Sequence, residues 1–200
     1  MKAKRPQIEP HDAACRKHSE NRSAGGRKET ALTHIAPSDA RRAVIHTDGS
    51  CAGNPGPGGW AAVIRFAGGE AEREPIVLTG GVAHSTNNRM ELTAAIEALK
   101  ALPSGGATLF TDSQYLVRGM TEWLRPWKSH GWKNAAGAKV RNRDLWKELD
   151  LLTTGRDIAW VWIKGHDGHV GNEEVDRLAG EAARRALALS AKPPRRIKTR

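Results

Sequence analysis

The apolar positions of this chain change their period several times, and each change marks an element. In AVIHTDGS (43–50), Val44, His46 and Asp48 fall on one face of a two-residue alternation, which predicts a strand. GNPGPGG (53–59) holds too much Gly and Pro for a regular element and reads as a turn. GWAAVIRF (59–66) and EPIVLTGGV (74–82) follow as a second and a third strand, close enough together to predict an antiparallel meander. The period becomes helical in STNNRMELTAAIEALKAL (85–102), where Leu92, Ile96, Leu99 and Leu102 form an apolar stripe. Ser85 or Thr86 stands where a helix cap is expected, and Pro103 with the SGG after it stops the helix.

ATLFTD (107–112) reads as a short apolar strand, SQYLVRGMTEWL (113–124) as a helix, RPWKSHGWK (125–133) as its broken continuation, and RNRDLWKELDLL (141–152) as another helix. DIAWVWIKG (157–165) is the last strand. GNEEVDRLAGEAARRALAL (171–189) is an amphipathic helix with Val175, Leu178, Ala179, Ala182, Ala186 and Leu189 facing inward. The order β-β-β-α-β-α-α-α-β-α predicts an α/β fold: a mixed five-stranded sheet of three antiparallel strands plus two parallel, flanked by helices. The strand–helix–strand step sets the fourth strand parallel beside the first.

Charge divides the chain further. The net +10 is concentrated at the ends, with +5 in residues 1–42 and +5 in 190–200, while 43–189 is neutral. Residues 1–42 and 189–200 lack periodicity and aromatics and are expected to be unfolded basic extensions of a 43–188 domain. Within that domain, residues 118–147 hold eight Lys and Arg against two acids. Trp123, Trp127, Trp132 and Trp146 run through this basic stretch, a mixture suited to a sugar–phosphate strand. Trp146 is expected in the core, with Trp160 and Trp162 there in part; Trp123 and Trp127, four apart with cations around them, are the candidates for stacking on a ligand. Cys15 and Cys51 imply no disulfide framework and fit a reducing, cytoplasmic setting. The N-terminus carries no secretory signal pattern and no run is long enough for a membrane span. No obligate protein partner is expected, and the chain reads as a monomer.

Four carboxylates stand in awkward places. Asp48 and Asp112 close two strands predicted to lie side by side, at the sheet end where open α/β folds bind ligands. Glu91 is one turn into a helix, with small Ala94 and Ala95 behind it, and Asp176 sits among apolar residues of the terminal helix. Taken singly, the two aspartates read as turn or cap residues and the other two acids as surface groups. Together, converging carboxylates repel unless hard cations such as Mg²⁺ compensate them. A metal pair roughly 3.5–4 Å apart can hold the attacking and leaving oxygens of an in-line phosphoryl displacement. In KGHDGH, His166 is the better candidate for a proton shuttle, while His169 reads equally as a structural loop residue; zinc has weak support. GNPGPGG lacks the Lys-Ser/Thr of a P-loop; its Asn54 can approach a ligand closely.

TDGSCAGNPGPGGWA, STNNRMEL, TDSQYL and WIKGHDGHVGNEEVDRLA, in this order, resemble ribonuclease H of the bacterial type 1 branch from about Ala43 to about Leu187. The resemblance implies an endonuclease that cuts the RNA strand of an RNA–DNA hybrid to 5′-phosphate and 3′-hydroxyl products, using two Mg²⁺ ions, with Mn²⁺ as an alternative. It implies that Asp48, Glu91, Asp112 and Asp176 are the metal-binding acids and His166 the mobile-loop histidine. It implies that Asn54, Asn87, Asn88 and Gln114 contact the minor groove, where the 2′-hydroxyl separates RNA from DNA. Thr86 and Asn142 match a DNA-phosphate pocket, in which His84 stands where Arg is expected. The resemblance implies that Trp123, Trp127 and Lys128 belong to a basic protrusion that grips the DNA strand. Two rival readings are a different nuclease on the same scaffold, such as an integrase, a resolvase or a reverse-transcriptase fragment, and a non-catalytic hybrid-binding module.

Overall fold

The computed structural model describes residues 42–66, 74–102 and 104–191. The expected unfolded extensions fall mostly outside the described residues, as do Cys15 and Pro103. The elements are β1 (Ala43–Cys51), β2 (Gly56–Phe66), β3 (Ile76–Ser85), α1 (Asn87–Ala101), β4 (Ala107–Thr111), α2 (Gln114–Arg118), a π-helical turn (Gly119–Trp123), α3 (Leu124–Ser129), α4 (Arg143–Thr153), β5 (Ile158–Trp162) and α5 (Val170–Ser190). They build one five-stranded sheet in the order β3-β2-β1-β4-β5. β1, β2 and β3 form the antiparallel meander, and β4 pairs parallel with both β1 and β5, as the sequence order predicts.

Alternation along β2 assigns the two faces of the sheet. Ala62 and Ile64 join Ile45 of β1 under Leu92, Ala95, Ile96 and Leu99 of α1, with Trp146 and Leu149 of α4 completing that core. Ala61 and Val63 point the other way and meet Val175 and Ala179 of α5. Each fully buried leucine or isoleucine here contributes about 1.5–3 kcal/mol, so α1 and α5 are held to the sheet mainly by their apolar stripes.

Several expectations need correction. β2 begins at Gly56, inside the segment read as a turn, because its glycines form a packing surface: a Cβ on Gly59 would fall on the backbone nitrogen of Ala183 in α5. Thr86 occupies the cap position of α1 but makes no side-chain cap bond, and Ser85 ends β3. The Asn87 N–H instead donates to Oδ1 of Asn54, at 3.2 Å, from the β1–β2 turn. The helix expected over 113–124 is split between α2 and the π-helical turn. α5 continues through Ser190, into the segment assigned to the tail, where Leu189 is exposed rather than inward-facing. Leu178 packs only at the edge of the α5 core. Trp160 packs against the core, but Trp162 is 44% exposed and its indole N–H donates to the Asp112 carbonyl at 3.0 Å.

Candidate active site

The parallel register that pairs His46 with Phe110 sets Asp48 level with Asp112, just past the last paired residues of β1 and β4. Between the strand ends and α1 lies Gly49, where a Cβ would fall on the Glu91 backbone nitrogen. Its bareness lets α1 press against β1 and brings Glu91 beside Asp48. Ala94 and Ala95, both fully buried, allow the same close approach one turn later. Asp48, Glu91 and Asp112 thus offer one carboxylate oxygen each, all within 4.8 Å of one another. Asp176, on α5, stands outside this triad with a side chain 45% exposed, yet close enough that its charge acts on Asp48.

Electrostatics marks the triad as unfinished. No Lys or Arg among the described residues forms an ion pair with Asp48, Glu91 or Asp112. Burial, followed by the Asp112 charge, pushes the Asp48 carboxyl up to about 7, against the opposing effect of the Gly49 N–H. Burial and then the charges of Asp48 and Asp112 hold the Glu91 carboxyl well above its ordinary range, and its Oε2 is buried without a hydrogen-bond partner. Three crowded carboxylates with an orphaned oxygen fit hard divalent cations, which coordinate such oxygens and remove the repulsion. Asn172, 1% exposed on the first turn of α5, donates from Nδ2 to Oδ2 of Asp112 at 3.2 Å. Sequence reasoning missed this residue; its one signal was a polar side chain inside the motif that carries Asp176.

His166 lies in the β5–α5 loop in a left-handed conformation, φ 54°, with its side chain largely exposed. Its Nδ1 is 3.8 Å from Oδ2 of Asp176, which places the imidazole at the open side of the acid cluster.

The remaining residues of interest separate into two areas. A cleft of about 530 Å³ is lined by Asn54, Thr86, Asn88, Tyr115, Arg141 and Asn142. His84 is exposed and does not line it; the cation in this cleft is Arg141, which the sequence reading counted only as part of the protrusion. Asn142 presents Oδ1 to Arg89 at 3.4 Å and donates from Nδ2 to the Tyr115 hydroxyl at 3.4 Å. Asn87 and Gln114 are exposed at the first residues of α1 and α2. In the protrusion, Trp123 and Trp127 lie ring to ring at 5.7 Å and continue inward to Trp146, so an aromatic ladder ties this surface to the core. Both line a second groove of about 580 Å³ with His130 and Lys133. Lys128 is less available than expected, because its Nζ is ion-paired with Asp150 at 2.7 Å.

A mixed sheet with clustered buried carboxylates at the ends of adjacent parallel strands defines a class: nuclease-type folds suited to holding divalent cations beside a phosphodiester. Residues 40–184 match the family model described as RNase H, and the chain belongs to that family. It is 50% identical over 153 residues to the ribonuclease H of Polaromonas naphthalenivorans, covering 75% of this chain and 92% of that one. It is 53% identical over 139 residues to the ribonuclease H of Hydrogenovibrio crunogenus, covering 69% of this chain and 92% of that one. Among solved structures it is similar to LC9-RNase H1, a type 1 RNase H with the type 2 active-site motif, at a TM-score of 0.65 and 34% identity over 74% of each chain. No helix among the described residues is long and apolar enough to cross a membrane.

Proposed function

We propose that the protein is an endoribonuclease that hydrolyses the RNA strand of RNA–DNA hybrids, leaving 5′-phosphate and 3′-hydroxyl ends. The observation that carries this reading is the Asp48–Glu91–Asp112 triad, two of its members buried, one oxygen of each within 4.8 Å of the others and none ion-paired with Lys or Arg among the described residues, on a chain of the RNase H family. Asp48, Glu91 and Asp112 would hold one divalent cation, and Asp48 with Asp176 a second; Mg²⁺ suits this all-oxygen set, and Mn²⁺ is an alternative. Such cations supply Lewis acidity that activates water and stabilises the leaving 3′ oxygen. Asp48 is the shared ligand, Asn172 fixes the orientation of Asp112, and His166 moves protons at the open side of the cluster through Nδ1 or Nε2. Asn54, Asn87, Asn88 and Gln114 read the minor groove and its 2′-hydroxyls. Thr86, Arg141 and Asn142 take a phosphate of the DNA strand in their cleft, and Trp123 and Trp127 support that strand further out.

The test is cleavage of a strand-labelled RNA–DNA hybrid, duplex RNA and duplex DNA by the full chain, each with and without Mg²⁺. Cutting of the RNA strand in the hybrid alone, and only with the metal, is the expected result. Cutting of duplex DNA, or hybrid binding that persists in EDTA without turnover in Mg²⁺, would overturn it.

A further inference from the structure

Four residues outside the acid cluster meet at the root of the loop that carries His166. His46 is 6% exposed on β1, is paired in register with Phe110 of β4, and stacks on its ring at 5.2 Å with the planes 15° apart. His169, the residue immediately before α5, sets its ring 5.1 Å from His46 and 5.9 Å from Phe110. Gly171 faces the same imidazole, and a Cβ there would fall on the His46 ring. Neither ring nitrogen of His46 has a hydrogen-bond partner among the described residues, so the side chain acts here as an aromatic plate.

The other end of the loop is fixed as well. The Ile163 N–H donates to the Thr111 carbonyl at 2.9 Å. Gly165 lies so close to Asp112 that a Cβ would stand 2.7 Å from its Oδ2. Between Gly165 and His169 lie only His166, Asp167 and Gly168, and both His166 and Gly168 adopt left-handed φ, 54° and 76°. The geometry of this short span is therefore set by its two anchors.

We infer that the His46–Phe110–His169 stack, seated against Gly171, is the second anchor of this loop and sets the reach of His166 toward Asp176 and the acid cluster. The inference rests on the hydrolytic reading above. His46 and Phe110 belong to the strands that lead to Asp48 and Asp112, so this packing, beside the Asn172–Asp112 hydrogen bond, links the root of the loop to the strands that present two of the metal ligands. These are positioning residues, acting through His166.

The experiment compares His169→Ala and His169→Phe in the full chain, each alone and combined with His166→Ala, by steady-state cleavage of an RNA–DNA hybrid in Mg²⁺ and by thermal melting. His169→Ala is expected to lower kcat by about tenfold with KM and melting temperature unchanged, as displacement of a catalytic group does. His169→Phe, which keeps the stack, should recover kcat to within about twofold of the parent. In the His166→Ala background, His169→Ala should cost nothing further. His46→Phe should also preserve kcat, since the nitrogens are unused. An unaltered kcat in His169→Ala, a loss confined to KM, or losses that multiply in the double variant would overturn the inference. If the parent chain cleaves normally, such a result removes only the anchor; if the parent does not cleave the hybrid, the hydrolytic reading fails and the anchor with it.

Discussion

The acid cluster and the basic protrusion treat their charges in opposite ways. Asp48 and Glu91 are buried beside Asp112, and none of the three forms an ion pair with Lys or Arg among the described residues. In and around the protrusion, Arg118 pairs with Glu122, Lys128 with Asp150, and Asp144 with Arg89. The protrusion also rests on a ladder of Tyr115, Trp123, Trp127 and Trp146, whose inner members belong to the core. Charge left uncompensated where burial makes it expensive signals a missing counter-ion. Charge on an exposed surface, partly neutralised by neighbours, carries less information residue by residue. The protrusion must therefore be judged by which cations are left without partners. Among the described residues, Arg125, Lys133, Lys139, Arg141, Arg143 and Lys147 have no ion pair, and of these Lys133 lines the groove beside Trp123 and Trp127 and Arg141 the cleft beside Asn142.

That contrast can be broken from either side. The largest effect should come from Asp48→Asn, which is expected to lower hybrid cleavage by more than about a hundredfold, since losing even an outer partner of a metal ligand reaches that range. Single-turnover rates check it. The same substitution should stabilise the metal-free protein. Asp48 is raised to about 7 when folded against an ordinary 3.8, so the folded state retains a proton that the unfolded chain has released. This contribution is fully present below about pH 4 and is lost as pH rises toward 7, at a cost on the order of 4 kcal/mol. Chemical denaturation in EDTA from pH 4 to 8 should show the parent losing stability relative to Asp48→Asn across that window; parallel curves would contradict the account.

Asn172→Ala should follow at about tenfold in cleavage, with Mg²⁺ dependence shifted to higher concentration because Asp112 loses its orienting donor. The smallest effect belongs to the protrusion. Arg141→Ala should weaken hybrid binding and flatten its salt dependence by about one unit, measured in Ca²⁺ to prevent turnover. Lys128→Ala should leave the slope nearly unchanged, because Asp150 already neutralises that ammonium. Equal slopes for the two variants would erase the distinction between paired and unpaired cations.

The fold was legible because period and turn chemistry are local. Two-residue alternation marked β1, a short apolar run marked β4, and the stripe of Leu92, Ile96 and Leu99 marked α1. The triad was legible for a related reason: strand ends are fixed by the same alternation, and two parallel strands bring their ends together. What escaped depended on contacts distant in the chain. Asn172 acquires its role only by meeting Asp112, 60 residues away. Lys128 reads as a free cation until α4 brings Asp150 to it. Asn54, expected to face a ligand, also closes the start of α1, and Arg141 lines the cleft beside a left-handed Asn142, φ 54°. His46 was placed on the strand face of Asp48 but given no role, and the space that seats it belongs to Gly171 on another element.

The most direct test is the melting temperature of the full chain at pH 7.5 as Mg²⁺ is raised from zero to tens of millimolar, beside Asp48→Asn at matched ionic strength. Binding to the folded state alone raises stability with metal concentration, so the parent should melt progressively higher while the variant stays flat. A parent curve unmoved by Mg²⁺, or a variant that responds equally, would contradict the assignment of the cluster as a cation site.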